Sequence, residues 1–254
     1  MENRVALVTG GSRGIGRAIA LRLAADGAAV AVNYRRDADA AEDVVSRIKA
    51  KGGTAKAFAA SVDDPEQDRA MVDAVLAEFG KVDILVHSAG IASRGLPVTR
   101  TDPGEPLKVM ATHAFGAHHL CRLLIPQMRE QPRGDVVFIS SVAGINPMQN
   151  GAPYSMAKAA LESLAVTLGK EELRNGIRVN VVAPGLVETD MGDRLARALS
   201  DAPDAAGLDH LAPFGRVCQP EDVADTVAFV VGTRYVNLQR IGVDGGGSPT
   251  AALR

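Results

Sequence analysis

The chain has 254 residues, with 26 glycines, six phenylalanines, three tyrosines, no tryptophan and a formal net charge of −2. Its 46% hydrophobic and 23% charged residues are typical of a folded globular protein. The near-zero net charge gives no strong electrostatic attraction to nucleic acid. Two cysteines are too few for a disulfide framework, and no apolar run reaches the roughly 18 residues of a membrane span. We therefore expect neither a nucleic-acid nor a membrane partner. The apolar run near the N-terminus is too short for a signal peptide, which predicts a cytoplasmic protein.

Short apolar segments alternate with longer amphipathic ones along the chain. The first half predicts strand 4–9, helix 14–25, strand 28–34, helix 38–51, strand 55–60, helix 66–79 and strand 82–88. The second half predicts helix 107–130, strand 136–139, helix 154–175, strand 178–182, helix 221–231 and strand 240–243. This alternation predicts an α/β protein with a parallel, seven-stranded sheet and helices on both faces. No change of composition divides the chain, so residues 1–254 are expected to form a single domain.

A glycine-rich loop follows the first predicted strand and opens the first predicted helix. Glycines in such a loop permit a tight turn and a close approach of the backbone to a ligand. The helix start adds unpaired N–H groups and a positive dipole end, which suit a pyrophosphate. The context predicts a dinucleotide site, although the glycine spacing departs from Gly-x-Gly-x-x-Gly, and a turn without a ligand is the alternative. The candidate binding residues are Gly10, Ser12, Arg13, Gly14, Ile15 and Gly16.

The same loop also fits a second class of protein. Residues 10–14 match Gly-x-Ser-x-Gly, the nucleophile elbow of serine hydrolases, with Ser12 as the nucleophile. His210 and several aspartates follow in the order that such a triad needs. A serine hydrolase using Ser12 is therefore an alternative function.

Tyr154 and Lys158 lie four residues apart at the start of a long predicted helix. This spacing places both side chains on one face, one turn apart. A nearby ammonium favours the phenolate, so we expect Lys158 to lower the pKa of Tyr154 and make it a usable acid or base near neutral pH. Taken alone, the pair also fits an ordinary surface Tyr–Lys contact.

The glycine loop, Ser140-Ser141 after the fifth strand and the Tyr154/Lys158 pair together resemble the short-chain dehydrogenase/reductase family. Further matching segments occur between residues 5 and 247, namely His87-Ser88-Ala89-Gly90, Pro184-Gly185, Val187-Glu188-Thr189-Asp190-Met191, residues 215–224 and Val243-Asp244-Gly245-Gly246. The chain is most similar to the bacterial 3-oxoacyl-carrier-protein reductase branch. This resemblance implies a doubly wound Rossmann fold and hydride transfer between a nicotinamide cofactor and a carbonyl or secondary alcohol, possible substrates including a 3-oxoacyl thioester.

The resemblance implies a role for each catalytic candidate. Tyr154 would protonate the carbonyl oxygen, and Lys158 would hold the nicotinamide ribose and keep the pKa of Tyr154 low. Ser141, which precedes Tyr154 by the 13 residues of the family pattern, would orient the substrate oxygen. His113 stands where the family has its active-site Asn, so it is either a proton relay or a space-filling residue.

The choice of cofactor depends on the tip of the second strand. NAD enzymes place a carboxylate there for the ribose 2′-hydroxyl, but this chain has Tyr34 followed by Arg35. Arg35 and Arg13 suit a 2′-phosphate, whereas Asp37 is expected to start the next helix. We therefore expect NADP(H). The resemblance adds the following cofactor-binding candidates: Tyr34, Arg35, Ser61, Val62, Ser88, Ala89, Gly90, Tyr154, Lys158, Pro184, Gly185, Val187 and Thr189.

Two departures from the family pattern concern histidine. His113 replaces the active-site Asn, and His87 replaces the first Asn of Asn-Asn-Ala-Gly, which suggests a coupled change. A non-catalytic, NADP-binding family member is the alternative that His113 raises. His113, His118 and His119 do not have ligand spacing on a helix, so no metal site is expected.

The remaining expectations concern substrate access and assembly. A loop at about residues 190–214 is predicted to contact the substrate, and residues 203–213 are the least regular part of it. The helix from Tyr154 carries apolar side chains around much of its circumference, so it is expected to be covered on more than one side. The family commonly assembles through this helix, which implies a homo-oligomer, either a tetramer or a dimer.

Overall fold

A computed structural model describes residues 1–247; the end of the predicted domain, residues 248–254, lies outside the described residues. The core of the fold is a seven-stranded sheet in which every neighbouring pair is parallel. Its strands are β1 (Val5–Thr9), β2 (Ala29–Tyr34), β3 (Ala55–Ala59), β4 (Ile84–His87), β5 (Gly134–Ile139), β6 (Ile177–Pro184) and β7 (Arg240–Val243). The predicted Rossmann sheet is therefore confirmed.

Eight α-helices accompany the sheet within residues 1–247. They are α1 (Gly14–Ala25), α2 (Ala38–Ala50), α3 (Pro65–Phe79), α4 (Gly104–Met110), α5 (Gly116–Met128), α6 (Ala152–Glu171), α7 (Asp190–Leu199) and α8 (Pro220–Gly232). None of the helices in this part of the chain is long and apolar enough to cross a membrane.

Buried apolar residues cover both faces of the sheet, as the period-2 alternation of a strand requires. On β1, Ala6 and Val8 join a cluster that contains Ile19 of α1 and Val227 of α8. Leu7, between them, joins the opposite cluster, whose helical members come from α3, α5 and α6. Helices therefore pack on both faces, as predicted, and the core consists mainly of Ala, Val, Leu and Ile.

The strand order is β3-β2-β1-β4-β5-β6-β7, so the direction of winding reverses between β1 and β4. At this point the carboxyl ends of the two strands are in register, with Thr9 paired to His87. Ligands of open α/β sheets bind in the crevice that such a reversal opens. The glycine loop after β1 and the segment 88–90 after β4 both lie there.

Three predicted segments differ from the structure by more than one or two residues at an end. The helix expected at 107–130 begins at Gly104 and contains a π-helical turn, Ala111–Phe115, that carries His113. The helix expected at 154–175 begins at Ala152 and ends at Glu171, and a 3-10 turn, Leu173–Asn175, leads to Gly176 in the left-handed conformation. Such termini are set by local hydrogen bonding, which hydrophobic periodicity does not report.

The third difference lies in the predicted substrate loop at 190–214. The segment contains α7 and a 3-10 turn, Ala206–Leu211, so the expectation of a loop is wrong for more than half of it. α7 begins with a helix cap, because the Thr189 side chain accepts a hydrogen bond from the Gly192 backbone N–H at 3.1 Å. Thr189 followed by acidic first-turn residues is a start signal that the sequence already carried.

Candidate active site

The glycine loop packs tightly against two other predicted cofactor segments. Gly10 has a φ of +62°, and a Cβ there would lie 3.0 Å from the Ala89 Cα. A Cβ on Gly14 would lie 3.3 Å from the Thr189 Cγ2, and one on Gly16 would lie 2.8 Å from the Gly10 carbonyl carbon. The loop therefore needs small residues at these positions, and it brings the ends of β1 and β4 and the start of α7 together.

The N-terminus of α1 fits an anionic ligand. Its N-cap residue, Arg13, makes no side-chain capping bond, and the first turn contains no acidic residue. The first N–H groups of a helix have no intrahelical acceptor, and they carry the positive end of the dipole. A pyrophosphate placed at the loop would supply the acceptors, so the residues present fit a dinucleotide.

Thr9, which sequence reasoning did not single out, holds this crevice in place. Its buried hydroxyl accepts hydrogen bonds from the backbone N–H groups of Ser88 and Ala89, at 3.1 and 3.0 Å. The same hydroxyl lies 3.1 Å from Nδ1 of His87. The sequence shows a threonine at the end of a predicted buried strand, which could have marked Thr9 as a structural residue. Its hydrogen-bond partners could not be predicted, because they depend on β1 lying next to β4.

Asn33, at the end of β2, also holds the glycine loop in place through hydrogen bonds. Its side-chain oxygen accepts a hydrogen bond from the Gly10 N–H at 3.2 Å. Its amide nitrogen donates to the carbonyl oxygens of Phe58 and Ala60, at 3.3 and 3.1 Å. Asn33 therefore fixes the glycine loop relative to the carboxyl ends of β2 and β3.

The tip of β2 contains the groups that decide between NAD and NADP. Tyr34 is half-buried and Arg35 is exposed, and Arg35 forms no ion pair within residues 1–247. Arg13 instead forms an ion pair with Asp37 and lies 3.5 Å from Asp190. Asp37 also caps α2, where it accepts a hydrogen bond from the Ala40 N–H at 3.0 Å. Asp37 thus starts the helix as predicted, and Arg35 and Arg36 form no ion pair with a carboxylate of residues 1–247.

Other predicted cofactor residues lie along the same edge of the sheet. Ser61 and Val62 follow β3, and the Ser61 side chain hydrogen-bonds Asp63. Pro184 ends β6, and Gly185 donates its N–H to the Val243 carbonyl oxygen at 3.0 Å. The segments after β3 and β6 therefore reach the same carboxyl edge as the glycine loop.

Ser141, Tyr154 and Lys158 come together at the carboxyl end of β5. Ser141 caps the 3-10 turn Val142–Gly144, where its hydroxyl accepts a hydrogen bond from the Ala143 N–H at 3.2 Å. The same hydroxyl favours the ionised form of the Tyr154 phenol and so lowers its pKa. Lys158 is only 5% exposed, and its Nζ donates to the Ile139 carbonyl oxygen at 2.7 Å. That nitrogen lies 5.5 Å from the centre of the Tyr154 ring. The sequence spacing has therefore placed these three side chains side by side.

The expected lowering of the Tyr154 pKa is wrong for the chain on its own. Burial raises the pKa of Tyr154 to about 12, and the hydrogen bond with Ser141 opposes this only in part. Burial also lowers the pKa of Lys158 to about 7, and the nearby carboxylate of Glu162 raises it in part. Desolvation penalises both charged forms, so it outweighs the attraction between ammonium and phenolate. At neutral pH the phenol is protonated, which is the form that an acid catalyst requires.

His113 packs directly against this group. Its ring lies edge-on to the Tyr154 ring, with centroids 5.4 Å apart. Its Nε2 lies 2.9 Å from the Ile91 carbonyl oxygen and 3.1 Å from the Ile91 nitrogen, while its buried Nδ1 has no partner in the described part of the chain. Burial, together with the Lys158 charge, holds the pKa of His113 well below its usual range. A Cβ on Gly90 would lie 2.5 Å from the His113 ring, so this glycine is required by packing.

His87 is connected to the residue before His113. Its Nε2 lies 3.2 Å from the Thr112 carbonyl oxygen, and its Nδ1 faces the Thr9 hydroxyl. Because a carbonyl only accepts, the Nε2 nitrogen carries the proton and Nδ1 accepts from Thr9. Burial lowers the pKa of His87 to about 4. Two neutral histidines therefore line the space between β4 and the π-helical turn.

The geometry around Ser12 does not support the hydrolase alternative. Ser12 is buried at the start of α1, and its hydroxyl makes no hydrogen bond to a histidine among residues 1–247. His210 lies exposed in the 3-10 turn Ala206–Leu211. A nucleophilic serine needs its base within hydrogen-bond reach.

Comparison with known proteins agrees with this site. Residues 4–199 match the family described as short chain dehydrogenase. The 3-oxoacyl-[acyl-carrier-protein] reductase FabG of Staphylococcus aureus strain Mu50 is 40% identical over 243 residues, 95% of this chain and 96% of that protein. The solved structure of levodione reductase is 32% identical, with a TM-score of 0.90 and 99% coverage of both chains.

A second solved structure, a short-chain dehydrogenase from Burkholderia cenocepacia J2315 in complex with NADP, is 35% identical. Its TM-score is 0.87, and the alignment covers 96% of this chain and 97% of that one. The family match spans well over half of the chain, and the reductase match spans nearly all of it. The chain belongs to the short-chain dehydrogenase/reductase family, a family of oxidoreductases, and within it resembles the 3-oxoacyl-carrier-protein reductases.

Proposed function

We propose that the protein is an NADP(H)-dependent oxidoreductase that interconverts a carbonyl and a secondary alcohol. The observation that carries this proposal is the placement of Ser141, Tyr154 and Lys158 beside the glycine loop at one edge of the sheet. A dinucleotide lying from the open N-terminus of α1 toward Lys158 would bring its nicotinamide ring to the phenol. Family membership and the protonated state of Tyr154 both support a reductase.

The proposed roles follow from the hydrogen-bonding capacity of each group. When bound, NADP(H) supplies or accepts the hydride. Tyr154 gives its proton to the carbonyl oxygen, and Ser141 donates a hydrogen bond to the same oxygen, which holds it at the phenol. Lys158 uses one N–H on the Ile139 carbonyl, so two remain for the ribose hydroxyls of the cofactor.

We further propose that Arg35 selects NADP(H) over NAD(H). It is exposed at the tip of β2 and has no carboxylate partner within residues 1–247, whereas Arg13 already pairs with Asp37 and Asp190. A guanidinium binds a phosphate through charge-assisted, bidentate hydrogen bonds. The neighbour from Burkholderia cenocepacia, whose structure holds NADP, supports the same choice.

His113 is proposed to act as a neutral group of the site. Its low pKa makes an imidazolium intermediate costly, so a relay in which His113 becomes fully charged is disfavoured. The Nε2 contacts with Ile91 fix the ring. When Nε2 carries the proton and donates to the Ile91 carbonyl oxygen at 2.9 Å, the buried Nδ1, which has no partner in the described residues, is a hydrogen-bond acceptor. That nitrogen can accept a hydrogen bond from a water molecule or from a ligand. The non-catalytic alternative predicts that the cofactor binds without turnover.

The substrate is tested by a screen that follows NADPH absorbance. Ketones, 3-oxoacyl thioesters, quinones and sugars are each offered with NADPH and with NADH. We propose a 3-oxoacyl thioester as the first candidate, because 3-oxoacyl-[acyl-carrier-protein] reductases are among the similar curated proteins. Oxidation of NADPH by one carbonyl class supports the proposal. Tight NADPH binding without oxidation by any class would instead favour the non-catalytic alternative.

We also propose that the chain acts as a single domain within a homo-oligomer, a dimer or a tetramer. All seven strands belong to one sheet, which supports the single domain. Large apolar side chains are exposed on and beside two helices that flank this sheet: Phe115 at 51%, Met156 at 52% and Val166 at 46% near α6, and Phe229 at 58% on α8. Exposed apolar surface of this kind marks contact sites between proteins.

A further inference from the structure

Glu162 lies one helical turn after Lys158 on α6 and takes part in a polar cluster that the mechanism above does not use. Its Oε1 accepts a hydrogen bond from the Ser140 hydroxyl at 2.6 Å. Both of its carboxylate oxygens accept from Nε of Arg240, at 3.1 and 3.0 Å. The carboxylate thus connects α6 to the end of β5 and to β7.

The same cluster reaches the residue that is proposed to hold the substrate oxygen. Arg240 donates from Nη2 to the Ser141 carbonyl oxygen at 3.0 Å. A Cβ on Gly144 would lie 2.5 Å from Oε1 of Glu162, so the turn that follows Ser141 rests directly on the carboxylate. Side chains from α6 and β7 therefore fix the backbone on which the Ser141 hydroxyl is placed.

The charges around Lys158 give Glu162 a second effect. Lys158 faces the buried rings of His87 from β4 and His113 from the π-helical turn, and Tyr154 lies on its own helix. None of these groups is an anion at neutral pH, because burial favours the neutral form of each. Glu162 is the carboxylate that favours the charged form of Lys158, and the same carboxylate forms an ion pair with Arg240.

We propose that Glu162 is a positioning residue of the active site, which holds the Ser141 turn through Ser140 and Arg240 and favours the charged form of the Lys158 amine one helical turn away. The proposal rests on the proposed function for its kinetic consequence, but its electrostatic part concerns the chain alone. Opposite charges one turn apart on a helix attract each other without forming a direct ion pair, and partial burial reduces the screening of this attraction by solvent.

The first test measures Lys158 in the protein without cofactor. Lysine labelled with ¹³C is followed by NMR from pH 6 to pH 10, and Lys158→Met identifies the signal. We expect Glu162→Gln to lower the pKa of Lys158 by about half a unit or more, because the variant keeps the shape but removes the charge. Glu171→Gln, which neutralises an exposed carboxylate at the end of the same helix, should leave it unchanged. An unchanged pKa in Glu162→Gln would overturn the electrostatic part.

The second test uses turnover with whichever carbonyl the screen identifies. Glu162→Gln should lower kcat on the order of 10-fold with little change in the KM for NADPH, and it should move the alkaline limb of the pH profile to lower pH. A purely structural role would not move that limb. Ser140→Ala removes one contact but keeps the charge, so kcat should fall without a shift of the limb. Parental kcat in both variants would overturn the positioning role.

The two tests separate this inference from the proposed function. If no carbonyl supports turnover in the parent protein, the proposed function fails, yet the NMR titration still decides whether Glu162 sets the charge of Lys158. If turnover is found and Glu162→Gln behaves as the parent in both experiments, the inference fails alone. Thermal unfolding of each variant, compared with the parent, verifies that the fold is retained.

Discussion

Burial determines the protonation states at the centre of the site. Tyr154 keeps its proton far above neutral pH, because burial raises its pKa to about 12. Burial lowers the pKa of Lys158 to about 7, so its charged form is much less favoured than that of a lysine in water. The nearby histidines are neutral. The site therefore contains a neutral acid, Tyr154, and an amine whose charge depends on its surroundings, Lys158. A group that raises the pKa of Lys158, such as Glu162, therefore matters for function.

The role of His113 is testable by two substitutions. His113→Asn restores the family residue and keeps hydrogen-bonding capacity, so we expect kcat within about 5-fold of the parent. His113→Leu fills the space but offers no polar atom, and kcat should fall about 100-fold, because the hydrogen bond that the imidazole makes in the site is lost and its partner is left unpaired. Steady-state kinetics with NADPH distinguishes the two. Full activity in His113→Leu would show that the histidine only fills space.

Asp68 on α3 gives the fold a defined pH dependence. It is fully buried, neither carboxylate oxygen has a hydrogen-bond partner within residues 1–247, and His119 of α5 lies 3.9 Å away. Burial, with repulsion from Asp64 and Asp63, raises the pKa of Asp68 from 3.8 to about 8. A raised carboxyl pKa means that the folded state holds a proton that the unfolded state releases, so stability falls as pH rises between these values.

Asp68→Asn removes this titration. The free energy of unfolding of the variant minus that of the parent should increase as pH rises from about 4 to about 8, by at most about 1.4 kcal/mol per pH unit. Above about pH 8 this difference should stay constant. Denaturant unfolding at several pH values measures the difference. Asp73→Asn, at an exposed position of the same helix, is the control. A difference that does not change with pH would contradict the account.

At the scale of elements, the site is assembled where strands end and helices begin. β1 and α1 contribute the glycine loop, β5 and α6 contribute the Ser141, Tyr154 and Lys158 group, and Thr189 starts α7 beside Gly14. The π-helical turn Ala111–Phe115 places His113 against Tyr154. π-helical turns inside longer helices are frequent at functional sites, where the extra residue re-aims a side chain.

Gly16 is the position where α1 meets the glycine loop most closely. A Cβ there would lie 2.8 Å from the Gly10 carbonyl carbon, so Gly16→Ala should push the loop open. We expect NADPH affinity to fall about 10-fold or more, measured by fluorescence titration, with a lower unfolding midpoint. Gly232→Ala adds a Cβ where no atom of the described residues lies within 4 Å and should change neither quantity. Unaltered NADPH binding by Gly16→Ala would contradict the assigned loop.

The sequence predicted the elements well where hydrophobic periodicity defines them. The helix at 14–25 and the strand at 240–243 have the predicted bounds. α7 was missed although Met191, Leu195 and Leu199 recur at helical spacing and Thr189 and Asp190 gave a start signal. The pairing of Thr9 with His87 and of Glu162 with Arg240 joins residues 78 positions apart. Such contacts depend on which strands become neighbours, and local pattern does not contain that information.

Across the whole molecule, the assembly is testable without a substrate. Exposed apolar side chains near α6 and on α8 give the protein two apolar surface regions that a second chain could cover. We expect sedimentation velocity at micromolar concentration to give two or four chain masses. Val166→Glu, which places a charge in the apolar patch near α6, should shift the distribution to a smaller species. A parent protein that sediments as one chain mass would contradict the proposed oligomer.

In the proposed reaction, Tyr154 is the acid that protonates the carbonyl oxygen as the hydride is transferred. The most direct measurement compares NADPH oxidation by the parent and by Tyr154→Phe, with the dissociation constant for NADPH measured in parallel. The account predicts that kcat falls about 1,000-fold, since the variant keeps the ring and lacks the proton, while NADPH binding stays within about 2-fold. Turnover by Tyr154→Phe at a rate close to that of the parent would contradict it.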